Sequence, residues 1–183
     1  MKKNVIAVSG PPGAGSTTIA RVLAKKMKLK FFSPGLVQKK MLRGKSQTEA
    51  VIETWKTKLV RSKKFHEDMD KLQIEKAEKG DIVICGKLSV HFLKNLADFK
   101  IWLDVPLKVR AERTARRDNI SLKEAEAAIV KRENTERESW KRIYGFDYLN
   151  QKKEADLVVD SSGLNAEQTA NKIISFINSR YEK

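Results

Sequence analysis

Short apolar runs alternate with longer amphipathic stretches along this chain, and the alternation predicts an α/β domain. The apolar runs are rich in β-branched and aromatic residues, which is typical of strands buried on both faces of a sheet. The five candidate strands are residues 4–9, 30–33, 81–85, 100–104 and 156–160. Since helical stretches separate these strands, we expect one parallel sheet with right-handed crossovers.

Several polar residues have the spacing that marks the start of a helix. The pairs with capping-box spacing are Ser46 with Glu49, Ser121 with Glu124, and the close variant Asn165 with Gln168. Pro106 suits the first position of a helix, because the N–H that proline lacks would have no partner there. Gly80 is a natural helix stop before the third strand.

The composition fits a single domain with a proper core. The chain has 183 residues, of which 40% are hydrophobic and 33% charged. No apolar run approaches the roughly 20 residues that span a membrane, and the run after Lys2 and Lys3 is too short for a secretory signal. We therefore expect a cytoplasmic protein. We also expect a monomer. Cys85 lies in an apolar run, which favours a buried, reduced thiol over a nucleophile or metal ligand.

A glycine-rich loop follows the first predicted strand and precedes an amphipathic helical segment. Its sequence matches the phosphate-binding pattern G-x-x-x-x-G-K-[ST] except that Ser16 replaces the lysine. Because backbone N–H groups at a helix start bind phosphate by themselves, the loop can bind phosphate without the lysine. We expect a nucleotide phosphate site, here called the phosphate loop, formed by Gly10, Pro11, Pro12, Gly13, Ala14, Gly15, Ser16, Thr17 and Thr18. The alternative is a tight strand-to-helix turn without a ligand.

The chain is strongly basic, with a formal net charge of +15, which suggests a polyanionic partner. Much of the excess lies in helical segments such as residues 56–64, where a solvated face is the ordinary explanation. Nucleotide substrates would account for a focused part of the charge. Aromatic residues are few and do not interleave with basic ones, so we do not expect nucleic acid to be a partner.

Three arginines after Pro106 share one helical face. Arg110, Arg113 and Arg117 fall at positions i, i+3 and i+7, and a second basic stretch covers residues 131–142. Like charges at i and i+4 destabilise a helix by roughly 0.2–0.5 kcal/mol, so a facing anion would relieve a penalty. We hypothesise that Arg113 and Arg117 supply the charge that is absent at position 16 when an arginine-bearing flap closes. The alternative is a solvated basic hairpin.

Several segments resemble, in order and spacing, the nucleoside monophosphate kinases, and specifically the archaeal type of cytidylate kinase. The resemblance is carried by residues 6–15, 33–35, 70–73, 86–88, 100–103, 109–113, 132–136, 143–147 and 160–162. It implies a P-loop NTPase fold, a three-layer sandwich with a five-stranded parallel sheet, in one domain of residues 1–183. It also implies a small acceptor-binding helical insert at about residues 34–80 and a helical lid at about residues 106–149.

The resemblance implies transfer of the γ-phosphoryl group of ATP to CMP or dCMP, with Mg²⁺ as cofactor. By position, Thr17 would be a magnesium ligand, and the phosphate loop would hold ATP. The residues that would bind the acceptor are Lys39, Asp70, Gln73 and Lys87, and those that would act in catalysis are Arg110, Arg113, Arg117 and Ser16. Catalysis in this class is positioning plus electrostatic stabilisation.

The chain also departs from the family pattern. Lys87 replaces an arginine, Cys85 and Leu36 stand where acidic residues are usual, and Ser139 stands near an expected lid arginine. A lysine gives up the planar, bidentate fork of arginine for a point charge. Two alternatives to the kinase therefore stay open: a catalytically weak or silent nucleotide-binding paralogue, and an RNA-associated P-loop protein.

Overall fold

A five-stranded, all-parallel sheet forms the centre of the protein in the computed structural model, which describes residues 4–41 and 62–181. The strands are β1 (Val5–Ser9), β2 (Lys30–Phe32), β3 (Ile82–Cys85), β4 (Phe99–Leu103) and β5 (Leu157–Val159). Their order in the sheet is β2-β3-β1-β4-β5. All five predicted strands are confirmed, and the predicted ends differ from the observed ones by one residue at most.

Helices connect the strands and cover both faces of the sheet. They are α1 (Ser16–Lys26), α2 (Pro34–Met41), α3 (Lys63–Glu78), α4 (Ser89–Phe92), α5 (Leu107–Asp118), α6 (Leu122–Tyr144), a 3₁₀ helix (Tyr148–Glu154) and α7 (Ala166–Tyr181). No helix within the described ranges is long and apolar enough to cross a membrane.

The predicted helix boundaries are mostly confirmed. Ser121 and Glu124 form a complete capping box at the start of α6, and Asn165 and Gln168 exchange two hydrogen bonds of 2.9 and 3.0 Å before α7. Pro106 is the N-cap of α5 rather than its first helical residue, a shift of one position. The pair Ser46 and Glu49 lies outside the described residues.

The core explains the layered arrangement. Successive residues of a strand point to opposite faces of the sheet, and β1 is buried along its whole length. Ile6 and Val8 pack in the cluster that includes α1 and α7, whereas Val5 and Ala7 pack in the cluster that includes α3 and α4. The predicted three-layer α/β sandwich is therefore confirmed.

The strand order also locates the place where a ligand would bind. β1 lies between β3 and β4, so the strand order reverses at β1. The carboxyl end of β1 is therefore the switch point of the sheet. In open α/β sheets, ligands bind at such a switch point. Ser9 joins the loops there, because its Oγ donates to Gly86 O at 2.7 Å and accepts from Val90 N at 3.2 Å.

Candidate active site

The phosphate loop has the backbone conformation of an anion-binding nest. Gly13 and Gly15 have φ values of 81° and 86°, in the left-handed region that favours glycine. Gly15 is also the N-cap of α1, and no side chain caps this helix. The first amides of a helix have no intrahelical acceptors. The N–H groups at the start of α1 are therefore available to an anion.

Three cationic side chains donate to alternate carbonyl groups of the phosphate loop. The pairs are Lys87 Nζ to Gly10 O at 2.7 Å, Arg110 Nη1 to Pro12 O at 3.0 Å, and Arg113 Nη1 to Ala14 O at 3.1 Å. These contacts use the carbonyl side of the loop rather than its N–H groups. The three cations therefore lie beside the nest, and these contacts leave its N–H groups unused.

Arg110 and Arg113 tie α5 to neighbouring loops as well. Arg110 is buried, and its guanidinium also donates to Val105 O at 3.0 Å and to Glu133 Oε2 at 2.9 Å. Arg113 is partly exposed and donates to Ser161 O at 2.5 Å and to Ser161 Oγ at 3.3 Å. Burial lowers the pKa of Arg113, an effect that Asp160 opposes.

Arg117 does not reach the phosphate loop in this structure. Its Nε and Nη2 donate to the carboxylate of Asp118 at 2.8 and 2.7 Å. The shared face predicted for the three arginines thus brings Arg110 and Arg113 to the loop and leaves Arg117 in an ion pair with its neighbour. That Arg117 helps Arg113 to supply the charge absent at position 16 stays a prediction.

Helices α5 and α6, here called the helical pair, pack directly against the phosphate loop. A Cβ atom at Gly13 would lie 3.0 Å from Arg110 Cβ and 3.1 Å from Ile129 Cδ1. Ile129 and Ala125 of α6 also form a small apolar cluster with Ala111 of α5. The predicted lid segment therefore rests on the loop, and the glycine permits this close approach.

The register of the sheet brings Lys87 to the loop. Val8 pairs with Cys85 in neighbouring parallel strands, so Lys87, two residues after Cys85, lies beside Gly10, two residues after Val8. Cys85 is buried and free, as predicted. Burial raises the pKa of its thiol, and the adjacent side chains of Ser16 and Thr17 oppose that shift.

Lys87 is a largely enclosed cation with a carboxylate nearby. Its side chain is 18% exposed, and Nζ lies 3.9 Å from Glu136 Oε2. Burial lowers the pKa of Lys87 to about 7; Glu136 and Cys85 oppose that shift, and the positive charges of Arg132 and Arg110 add to it. The ammonium group therefore lies in a place where an additional negative charge would be favourable.

A cavity, here called the acceptor cavity, opens beside Lys87 between α2, α3 and α6. Its lining consists of Pro34, Gly35, Gln38, His66, Met69, Asp70, Gln73, Gly86, Lys87, Leu88, Arg132, Glu136 and Trp140. Three of the four predicted acceptor residues lie in this lining. The fourth, Lys39, belongs to α2, but its side chain lies outside the described part of the chain.

Asp70 is held inside the acceptor cavity by two hydrogen bonds. Gln73 Nε2 donates to Asp70 Oδ1 at 2.8 Å, and the hydroxyl of Tyr144 donates to Oδ2. Gln73 is itself fixed, because Ser89 Oγ donates to its Oε1 at 2.8 Å. Burial raises the pKa of Asp70 to about 6, although both hydrogen bonds oppose the shift.

Arg132 and Glu136, which were not predicted from the sequence, also belong to this site. Both line the cavity, and Arg132 Nε donates to Glu136 Oε1 at 2.8 Å. Glu136 is 2% exposed, and within the described ranges its Oε2 has no hydrogen-bond partner. The signal was present, because Arg132, Glu136 and Trp140 continue the buried face of α6 at four-residue spacing.

The chain belongs to the cytidylate kinase-like family, whose family model matches residues 5–163. Among curated relatives, the cytidylate kinase of Pyrococcus horikoshii is 38% identical over 87% of this chain and 81% of the relative. The cytidylate kinase of Pyrococcus abyssi is 36% identical over 98% and 96% of the two chains. That of Methanocaldococcus jannaschii is 33% identical over 94% and 97%.

Solved structures support the fold. A shikimate kinase from Bacteroides thetaiotaomicron superposes with a TM-score of 0.65 at 17% identity, covering 97% of this chain and 99% of that one. An uncharacterized protein from Eubacterium ventriosum superposes with a TM-score of 0.70 at 15% identity, over the same shares of the two chains. At such low identity, the likeness concerns the P-loop kinase fold alone.

Proposed function

We propose that this chain transfers the γ-phosphoryl group of ATP to CMP or dCMP, forming ADP and CDP or dCDP. Its family and the names of its relatives support the reaction. One observation carries the proposal: Lys87 both donates to the phosphate loop and lines the acceptor cavity. A single cation thus lies next to both sites. In-line transfer requires the donor and acceptor phosphates to lie close together, and they would meet beside this cation.

The donor would bind along the phosphate loop. The free amides at the start of α1 would hold the phosphate oxygens of ATP, and the positive φ of Gly13 and Gly15 turns the backbone for this purpose. Arg110 and Arg113, fixed against the loop carbonyls, would add positive charge near the developing negative charge of the transition state. Arg117 would join them on closure of the helical pair.

The acceptor would bind in the acceptor cavity, with its base against Asp70. A carboxylate accepts hydrogen bonds, and cytosine offers the amino group at C4 as a donor, where uracil has a carbonyl. Gln73 holds Asp70 in place. Lys87, Arg132 and the side chain of Lys39 would hold the monophosphate.

Magnesium would arrive with ATP. Within the described ranges, no group of three or more His, Cys, Asp or Glu residues could hold a metal ion. Mg²⁺ in kinase sites keeps several waters and is held largely by substrate phosphates. The Thr17 hydroxyl, in the first turn of α1, would be its protein ligand. The bound ion would neutralise charge between the β- and γ-phosphates.

The test is an assay of ADP formation with purified protein, ATP, Mg²⁺ and each of CMP, dCMP, UMP, AMP and GMP. We expect turnover with CMP and dCMP to exceed that with the other acceptors. ATP binding by calorimetry without turnover of any acceptor would identify a silent nucleotide-binding paralogue. RNA binding with a steep salt dependence, in the absence of ATP binding, would identify an RNA-associated protein.

A further inference from the structure

The carboxylate of Asp70 accepts a hydrogen bond from a helix that is distant in the sequence. The donor is the hydroxyl of Tyr144, the last residue of α6, whereas Asp70 belongs to α3. Asp70 lines the acceptor cavity, but Tyr144, although the structure describes it, is not part of that lining. The hydroxyl therefore reaches the carboxylate from outside the cavity and leaves the cavity side of Asp70 open to a ligand.

Both hydrogen-bond partners of Asp70 are themselves held in place. Gln73 Nε2 donates to Asp70 Oδ1 at 2.8 Å, and the hydroxyl of Ser89 fixes the orientation of that amide by donating to its oxygen. The ring of Tyr144 packs edge to face against Phe92, with the ring centroids 5.1 Å apart. The carboxylate therefore has a fixed direction before a ligand arrives, and such preorganisation favours binding.

The protonation state of Asp70 decides which base it can bind. An ionised carboxylate only accepts hydrogen bonds, whereas a protonated carboxyl group also carries one donor. At the position where cytosine has an amino group, uracil has a carbonyl oxygen. An ionised Asp70 therefore favours cytosine, and a protonated Asp70 can also donate to the carbonyl oxygen of uracil.

We propose that Tyr144 is a positioning residue that sets the choice of base, because its hydroxyl keeps Asp70 ionised and directed at the amino group of cytosine. This inference rests on the proposed function and deepens it. A hydrogen bond donated to the ionised form of a carboxyl group stabilises that form. The hydroxyl itself stays protonated, because burial and the hydrogen bond to Asp70 raise the pKa of Tyr144 above its usual value.

Other ionisable groups act on the same carboxylate. Burial raises the pKa of Asp70 to about 6, and the hydrogen bonds from Tyr144 and Gln73 oppose that rise. Glu67 of α3 adds to the rise, and His91 of α4 opposes it. The other charged residues that line the acceptor cavity are Lys87, Arg132 and Glu136. Among the groups that keep Asp70 ionised, Tyr144 has the largest effect.

The kinetic test compares the unaltered protein with Tyr144→Phe, which removes the hydroxyl and keeps the ring. The measured quantity is kcat/KM for CMP divided by kcat/KM for UMP, from about pH 5.5 to about pH 8. The phosphate groups of the two acceptors are alike, so their ionisation cancels in this ratio. Tyr181→Phe, which removes the hydroxyl of an exposed tyrosine, is the matched control.

We expect the preference for CMP to decline at low pH in both proteins. The midpoint of the decline should lie about one pH unit higher in Tyr144→Phe, because a donor to the ionised carboxylate is lost. At about pH 6 the variant should therefore have a ratio about fivefold lower than the unaltered protein, and at about pH 8 the difference should be less than about twofold. The control should follow the unaltered protein at every pH.

NMR of the Asp70 carboxyl carbon in the unliganded protein tests the same inference without a substrate. We expect the pKa of Asp70 to be higher in Tyr144→Phe than in the unaltered protein. Thermal melting identifies loss of fold. If Tyr144→Phe does not fold, a ring-fluorinated tyrosine at position 144, which is a stronger donor, should lower the pKa of Asp70 instead.

Three results would overturn the inference. One is a pKa of Asp70 that does not change in the variant, and another is a ratio that is the same in both proteins at every pH. The third is a ratio lowered by the same factor at every pH, which would show that Tyr144 only supports the fold. Failure of the proposed function would look different: the unaltered protein would form no ADP with CMP, while the difference in the pKa of Asp70 would remain.

Discussion

Arg113 of α5 donates a hydrogen bond of 3.1 Å to the carbonyl oxygen of Ala14 in the phosphate loop. The same guanidinium holds the loop after β5 through Ser161. A helix of the predicted lid is therefore connected to the donor site by a charged side chain rather than by apolar packing alone. Charge at the loop and the position of the helical pair are coupled through this residue.

Replacing Arg113 should impair phosphoryl transfer more than it impairs folding. We expect Arg113→Ala to lower kcat/KM by about 100-fold, because a positive charge beside the transferred phosphoryl group is lost. Steady-state kinetics with CMP measure the effect, and thermal melting monitors the fold. Arg116→Ala, at an exposed position of the same helix, is the matched control. If alanine at both Arg113 and Arg117 left phosphoryl transfer unchanged, the assignment of the lid arginines would be wrong.

Gly13 should tolerate no side chain. Its φ is 81°, and a Cβ atom at this position would lie very close to Arg110 and Ile129, so alanine would strain the backbone and push the helical pair away. We expect Gly13→Ala to lower the free energy of unfolding by about 1–3 kcal/mol and to weaken ATP binding in calorimetry. Gly163→Ala is the control, because a Cβ there meets nothing within 4 Å. Equal behaviour of the two variants would contradict the close approach.

The sheet and the phosphate loop were predictable because their signals are local. Apolar runs such as Val5–Ser9 mark buried strands, and the loop follows its strand directly in the sequence. The acceptor cavity was predictable only in part. Asp70 and Gln73 came from a resemblance, whereas Arg132 and Glu136 belong to a charged stretch that, read alone, indicates a solvated helix face. Tertiary packing turns that stretch inward against Lys87, and the local signal of this is the four-residue spacing that Arg132 and Glu136 share with the buried Trp140.

The prediction for Arg117 shows a limit of helical spacing. Residues at i and i+7 share a face, but they lie about 10 Å apart along the helix axis. Arg110 and Arg113 are close enough to the loop to donate to its carbonyls, whereas Arg117 lies a further turn along and pairs with Asp118. A shared helical face therefore predicts the direction in which the side chains point. It does not predict which of them are close enough along the helix axis to contact the loop.

Asp70 should reveal a conflict between stability and function. The pKa of Asp70 is raised from 3.8 to about 6 in the folded protein, so the folded state holds this proton more tightly than the unfolded state does. The contribution of Asp70 to stability therefore falls as pH rises from about 4 to about 6. Asp70→Asn removes this dependence on pH. Between about pH 4 and about pH 6, the free energy of unfolding of the variant relative to that of the unaltered protein should therefore rise by at most about 3 kcal/mol.

Denaturant unfolding at the two ends of that pH window measures the effect. Asp68→Asn, at an exposed position of the same helix, is the matched control for removal of one carboxylate. We also expect Asp70→Asn to lose discrimination between CMP and UMP, because an amide both donates and accepts hydrogen bonds. A stability difference that does not vary with pH would show that Asp70 is not held in a desolvated site.

Binding of ATP should be accompanied by proton uptake at Lys87. Its pKa is about 7 in the unliganded protein because of burial, so at about pH 8 the amine is mostly neutral. A bound phosphate favours the charged form and raises the pKa, so the protein takes up as much as about one proton on binding. Calorimetric titration of ATP and Mg²⁺ in buffers of different ionisation enthalpy measures this number. We expect Lys87→Gln to lose the uptake; the same buffer dependence in both proteins would mean that Lys87 does not approach the bound phosphates.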